Sequence, residues 1–264
     1  LEPNGEFVVF GDPKQNVYQR PLDTNGDIRL GVIGGQWNRQ LSTSRRFTNP
    51  RLANLATAFQ SQFMANVPND NITTENAMTN TFNFQILTYK DMRQNYTIDA
   101  LLTNIIYIIS NDNNEARDFV LLASSTKLLR GIDALYRQKT NEETEITFIS
   151  TEALNMLKQI HHVTDEKTAN WKFNRDFEAL ERTRKQLFTT DKRCLKISTI
   201  QSFKGWESPS VIVILESDFA LPNTTYRPMS PQTIYTAITR ARENLYIINI
   251  GNDTYHDFFY NQAL

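Results

Sequence analysis

Three stretches of the chain crowd together residue types that can hold a phosphate, a sugar or a nucleic-acid base. The first is Gly11-Asp12-Pro13-Lys14-Gln15-Asn16-Val17-Tyr18. Its glycine frees the backbone, Asp12 and Gln15 offer a carboxylate and an amide, and Tyr18 adds a flat ring. The same residues also suit an ordinary Asp-Pro turn. The second is Thr199-Ile200-Gln201-Ser202-Phe203-Lys204-Gly205-Trp206-Glu207, where hydroxyls, an amide, a lysine and a glycine meet in one short run. That is the composition of a phosphate or sugar-phosphate contact loop, or of a polar loop lying over a buried tryptophan. The third is Tyr235-Thr236-Ala237-Ile238-Thr239-Arg240-Ala241-Arg242. Ile234, Ala237, Ile238 and Ala241 form its inward stripe, so Arg240 is expected near the helix end, projecting past the domain edge. A C-terminal arginine that complements the helix dipole is the plainer reading, and Arg242 fits it as well.

The elements that must position these stretches alternate along the chain. Glu6–Phe10 is an apolar run that predicts a buried strand, with the first stretch directly after it. Pro21–Arg46 is glycine-rich and aperiodic, hence loop with at most short elements. Asn49-Pro50 predicts a helix start, because Asn caps well and Pro is favoured at the first helical position. Strands are predicted over Phe82–Tyr89, Phe119–Ala123, Glu145–Ile149, Leu195–Thr199, Val211–Leu215 and Leu245–Ile250. Helices are predicted over Ile98–Ser110, Leu128–Arg137, Thr151–His161 and Ala169–Phe188, and from Ser230-Pro231 through Ala241. Strands alternating with helices predict an α/β fold, with a mostly parallel sheet covered on both faces. Ligands of such sheets bind at the carboxyl ends of strands, and the second stretch follows a strand directly.

Composition excludes several other classes. The 264 residues carry 28 Lys+Arg against 29 Asp+Glu, a net charge of -1, which argues against a broad basic nucleic-acid glove but not against one contact cleft. No apolar run is long enough to span a bilayer, so no membrane partner is expected, and a cytoplasmic setting is. One cysteine, Cys194, cannot form an internal disulfide, and with 3 His it makes a zinc cluster unattractive, so no metal site is expected. The chain begins Leu1-Glu2-Pro3 rather than with Met, which predicts a start inside a longer chain. No Gly-x-x-x-x-Gly-Lys-Ser/Thr loop occurs, so phosphate-contact residues are present without the cradle that binds phosphates. One side of a nucleotide site, completed elsewhere, is the expectation.

In this order the stretches resemble the later motifs of superfamily 1A DNA helicases of the UvrD/Rep/PcrA type. Gly11–Tyr18 is similar to the third motif, Leu41-Ser42-Thr43-Ser44-Arg45-Arg46-Phe47 to the fourth, Thr199–Glu207 to the fifth and Tyr235–Arg240 to the sixth. The resemblance implies a RecA-like three-layer α/β/α domain of the P-loop NTPase fold, a second motor domain lacking Walker A. It divides the chain into residues 1-47, the tail of the first motor domain and its connection, and 48-264, the second motor domain. Only about 70 residues separate Ser124 from Leu195, so the accessory domain common in the family is expected to be replaced by a small helical insertion at about 151-193.

The resemblance also implies roles. Gln15, Arg46 and Arg240 would act catalytically on the γ-phosphate of ATP, the two arginines as fingers that stabilise transition-state charge. Asp12, Lys204, Gly205 and Glu207 would contact the nucleotide, with Glu207 against the ribose. Tyr18, Arg20, Thr199, Gln201 and Ser202 would face single-stranded DNA. ATP and Mg2+ would be held mainly by the N-terminal motor domain of the same parent chain, which is thus a partner, as is single-stranded DNA. The sequence departs from the pattern at Arg45 (usually Tyr), Gln201 (usually His), Trp206 (usually Leu) and Arg20 (often Trp). The expected function is an ATP-dependent 3′-to-5′ helicase or translocase, inactive as this chain alone. The alternatives are a degenerate motor serving as a nucleic-acid or protein interaction module, and an unrelated doubly wound nucleotide-binding domain. The basic stretch Arg182–Arg193 is expected as a solvated helix face, or else as a duplex contact.

Overall fold

Apolar runs without alternation form the centre of the sheet, as strands buried on both faces must. The computed structural model describes residues 43–44, 49–64, 71–72, 87–164, 170–217 and 228–263, with 43–44 and 71–72 described by backbone alone. In chain order the elements are β1 (Thr43–Ser44), α1 (Pro50–Phe63), β2 (Asn71–Ile72), β3 (Leu87–Asp91), α2 (Ile98–Asn111), β4 (Phe119–Ala123), α3 (Thr126–Thr140) and β5 (Thr144–Ile146). Next come α4 (Thr151–Ile160), α5 (Trp171–Leu187), β6 (Leu195–Thr199), β7 (Ser208–Leu215), α6 (Pro231–Ile238), β8 (Ala241–Asn249) and α7 (His256–Ala263). β1 and β2 pair in parallel as a separate ladder. Among the described residues the main sheet has six strands in the order β3-β8-β7-β4-β6-β5, with every neighbouring pair parallel.

Alternate residues of each central strand serve opposite faces. Val120 and Leu122 join Val211, Val213, Leu245 and Ile247 in one core beneath α1, α6 and α7. Phe119, Leu121 and Ala123 join Ile212, Ile214, Tyr246 and Ile248 in the other, beneath α2 and α3. The result is the three-layer α/β/α arrangement expected of a RecA-like domain. Helix starts follow their caps. Asn49, Thr97, Ser125, Ser150, Asn170 and Ser230 each accept a main-chain N–H of the first turn. Asn49 also donates through Nδ2 to the carbonyl of Glu243 at 2.8 Å, which ties α1 to β8.

Several boundaries differ from the sequence expectation. The strand expected over Phe82–Tyr89 is Leu87–Asp91 among the described residues. The strand expected to reach Ile149 ends at Ile146; the N–H of Thr147 still donates to the carbonyl of Ile197 at 3.3 Å, and the carbonyl of Ile149 is taken at 3.0 Å by Nε of Arg130. The helix expected to run through Ala241 ends at Ile238, and Ala241 instead opens β8 in register with Ser208. Helix α7 has no counterpart in the sequence reading. It packs Phe258 and Phe259 around Phe59 of α1, with ring centroids 5.4 Å and 5.9 Å away. Helices α4 and α5 lie between β5 and β6 around a small core of their own, in which Leu154, Leu157 and Phe173 meet.

Candidate nucleotide and nucleic-acid site

β6 and β7 flank β4 and run the same way, so the chain between them must return along the sheet from its carboxyl edge to its amino edge. Thr199 is level with Ala123 at the end of β4, while Ser210 is level with Phe119 at its start. Residues 200–207 make that return with a single helical turn. The N–H of Phe203 donates to the carbonyl of Thr199 at 3.0 Å, and that of Trp206 to the carbonyl of Phe203 at 3.0 Å. Thr199 caps the turn, its hydroxyl accepting the N–H of Ser202 at 3.2 Å and lying 2.9 Å from the Ser202 hydroxyl. Ile200 and Phe203 are buried and anchor the turn to the core. Thr199, Gln201 and Ser202 are left half-buried at the carboxyl edge. Gly205 closes the turn at φ +98, a left-handed conformation that side chains disfavour. Lys204, Gly205, Trp206 and Glu207 are exposed.

The far end of the loop meets Arg240. This arginine does not project past a helix end, as the sequence suggested. It sits in the turn between α6 and β8 with 1% exposure. Its side chain folds back, with Nε donating to the carbonyl of Thr236 at 3.0 Å, Nη2 to the Thr239 hydroxyl at 3.1 Å and Nη1 to the carbonyl of Trp206 at 3.2 Å. The carbonyl of Arg240 in turn accepts the N–H of Ser208 at 3.0 Å. Glu207 therefore lies between two residues that are both bonded to Arg240. A permanently charged guanidinium and an exposed carboxylate share the amino ends of β7 and β8, at the opposite edge from Thr199 and Ser202. The structure thus brings the fifth- and sixth-motif residues into one connected unit that spans the sheet. Arg242, the second residue of β8, lies on the same edge and is exposed. Gln15, Arg46, Asp12, Tyr18 and Arg20 lie outside the described residues.

At the carboxyl edge one residue escaped the sequence reading. Glu216 directly follows β7, and its Oε2 accepts the N–H groups of Ser124 at 2.6 Å and Ser125 at 3.0 Å. Burial pushes its carboxyl above the ordinary glutamate range, and the two main-chain N–H groups pull against that shift. Ser125 caps α3, so the helix start that follows β4 carries a carboxylate of the chain itself. In Walker-type folds such a helix start meets phosphate. The signal in the sequence was an acid placed straight after the apolar run Val211–Leu215. On this loop the Lys204 and Glu207 side chains are exposed, whereas the Arg240 guanidinium is buried and bonded within the domain, and the helix start after β4 is already filled. Among the described residues no group of His, Cys, Asp and Glu is arranged to hold a metal ion, and no described helix is long and apolar enough to cross a membrane.

No curated protein matches the chain. Among solved structures, the C-terminal domain of a possible DNA helicase from Lactobacillus plantarum WCFS1 is similar over 79% of this chain and 89% of that one, at 11% identity and a TM-score of 0.42. Residues 195–248 match the UvrD-like helicase C-terminal domain family. That segment runs from β6 into β8, so the loop and turn that carry Thr199, Ser202, Glu207 and Arg240 fall within the stretch similar to this family.

Proposed function

We propose that the chain is the C-terminal motor part of an ATP-dependent DNA helicase or translocase that moves 3′ to 5′ on single-stranded DNA. The observation that carries this reading is the 200–207 loop. One end of it presents Thr199, Gln201 and Ser202 at the carboxyl edge, and the other is bonded to Arg240 on both sides of Glu207. A shift of either end moves the other, which is what coupling a strand contact to a nucleotide contact requires. When bound with Mg2+, ATP supplies the phosphoryl chemistry, held mainly by an N-terminal motor domain. Arg240, with Arg46, brings positive charge to that chemistry and Gln15 orients toward it, while Asp12, Lys204, Gly205 and Glu207 contact the nucleotide. Tyr18, Arg20, Thr199, Gln201 and Ser202 hold the strand. A cytoplasmic setting, and a division of the chain near residue 47, belong to the same proposal.

The test is hydrolysis stimulated by single-stranded DNA. This chain alone is expected to turn over no ATP. In a protein that also supplies the phosphate-binding loop, Arg240→Ala should lower turnover by about a thousandfold or more while oligonucleotide binding persists. Strong turnover by the 264-residue chain alone would refute the assignment.

A second reading has one observation in its favour. The Arg240 guanidinium is already bonded to two carbonyls and a hydroxyl inside its own domain, as a purely structural arginine would be. A non-catalytic nucleic-acid or protein interaction module would use it that way. Turnover separates the two: a module joined to a phosphate-binding loop shows no DNA-stimulated ATP hydrolysis even with Arg240 intact.

A further inference from the structure

Helix α5 is unusually bare for an element of this length. It has 17 residues and only Phe173 is fully buried. Three large apolar side chains stand out from it, with Trp171 66%, Leu180 40% and Leu187 67% exposed. A helix that buries so little of its surface is poorly accounted for by its own domain.

Its charges are lopsided. Lys172, Arg175, Arg182, Arg184 and Lys185 are all exposed, in a chain whose net charge is -1. Of its acids, Asp176 pairs with Arg175 at 2.9 Å and with His161 at 3.0 Å. Glu181 lies 3.6 Å from Arg130 and 3.7 Å from Lys185. Glu178 is the one acid left. Lys172 and Arg182 join no ion pair among the described residues. At the start of the helix the Trp171 ring has two cations against it, the Arg175 guanidinium at 5.4 Å and the Lys172 ammonium at 5.8 Å from its centroid. An exposed ring flanked by cations offers a base a stacking face and its phosphate a counter-charge.

The other end of α5 is seated on the candidate site. Phe188, which caps the helix, meets Phe203 edge-on at 6.1 Å and Trp206 edge-on at 5.9 Å. The helix thus runs outward from the 200–207 loop for about 25 Å, with cations along it and the tryptophan at its far end.

We propose that α5 is a single-stranded nucleic-acid arm. Trp171 stacks on an unpaired base, Lys172 and Arg182 neutralise phosphates, and Phe188 joins the arm to the 200–207 loop. The assignment rests on the nucleic-acid track of the function proposed above and adds a second contact outside its motifs.

Anisotropy of a fluorescein-labelled oligodeoxythymidylate, titrated with the full chain at two salt concentrations, tests it. Trp171→Ala should weaken binding about tenfold or more, as loss of one stacked base does. Trp171→Phe, which keeps a ring, should retain most of the affinity. The pair Lys172→Glu and Arg182→Glu should flatten the dependence of log affinity on log salt by about 0.7 for each phosphate lost. The arm assignment is overturned if the wild-type chain does not bind the oligonucleotide, if the alanine and double-glutamate variants bind it like wild type, or if a duplex of equal length competes equally well. ATP turnover is a separate readout: a motor that turns over with an inert α5 counts against the arm alone, and an arm that binds without Arg240-dependent turnover counts against the motor alone.

Discussion

Burial works against the charge on Glu216, and the N–H groups of Ser124 and Ser125 work for it, with burial the larger effect. A carboxyl whose folded pKa stands above its unfolded one contributes most below the unfolded value. That contribution is lost as pH rises through the folded pKa. The wild-type chain should therefore lose stability relative to Glu216→Gln as pH climbs from the ordinary glutamate value of 4.5. Urea melts over a pH series measure this difference. Relative to Glu216→Gln, Glu216→Ala, which strips the acceptor from two N–H groups, should cost about 1–3 kcal/mol at every pH; equal stability of the Ala and Gln variants would rule out the capping role. Gly205 is simpler. A Cβ there meets nothing within 4 Å, so the cost of Gly205→Ala is backbone strain at φ +98 alone. About 1 kcal/mol is expected, read as a drop of a few degrees in melting temperature.

At the scale of elements, the pair α4 and α5 depends on very little. Phe173 sits against Phe177 with centroids 5.9 Å apart and edge-on to His161 at 6.1 Å, and it shares its small core with Leu154 and Leu157. Phe173→Ala should free this pair while leaving the sheet intact. Hydrogen exchange should accelerate across 151–187 and stay slow in β4, β6 and β7. A uniform acceleration over the whole chain would show that the pair is not a separate unit. The same reasoning explains why α5 read poorly from sequence. Leu180 and Leu187, seven residues apart, look like core markers at helical spacing, yet both face solvent, as does Trp171 on the other side of the helix. Spacing reports a shared face, not what covers it.

For the molecule as a whole, the two faces of the sheet are closed by elements remote in sequence. Phe59 of α1 is fully buried and meets Phe63, Tyr255, Phe258 and Phe259 at 4.8–5.9 Å. Phe59→Ala should cost about 3–5 kcal/mol, enough to lower the melting temperature by roughly 6–20 °C at 2–4 °C per kcal/mol. A loss under about 1 kcal/mol would mean that α7 does not close this face.

The sequence by itself determined the central strands and the helix starts. Phe119–Ala123 is apolar at every step, Leu195–Thr199 alternates Leu195 and Ile197 with polar residues, and Asn49, Ser150 and Ser230 cap through atoms a few residues away. Such signals are local, and local chemistry can be read in order along the chain. The sequence also grouped Thr199–Glu207 and Tyr235–Arg240 as chemistry-bearing. Only the tertiary structure decided that they form one unit, because the bonds from Arg240 to Trp206 and from Ser208 to Arg240 cross more than thirty residues. It also decided where the last helix of the motif ends. Thr239-Arg240-Ala241-Arg242 can continue a helix on propensity alone, but Ala241 is claimed by its pairing with Ser208 in the sheet. Partners distant in sequence fixed the fate of Arg240 and of Glu216, and neither partner can be seen from the residue's own neighbourhood.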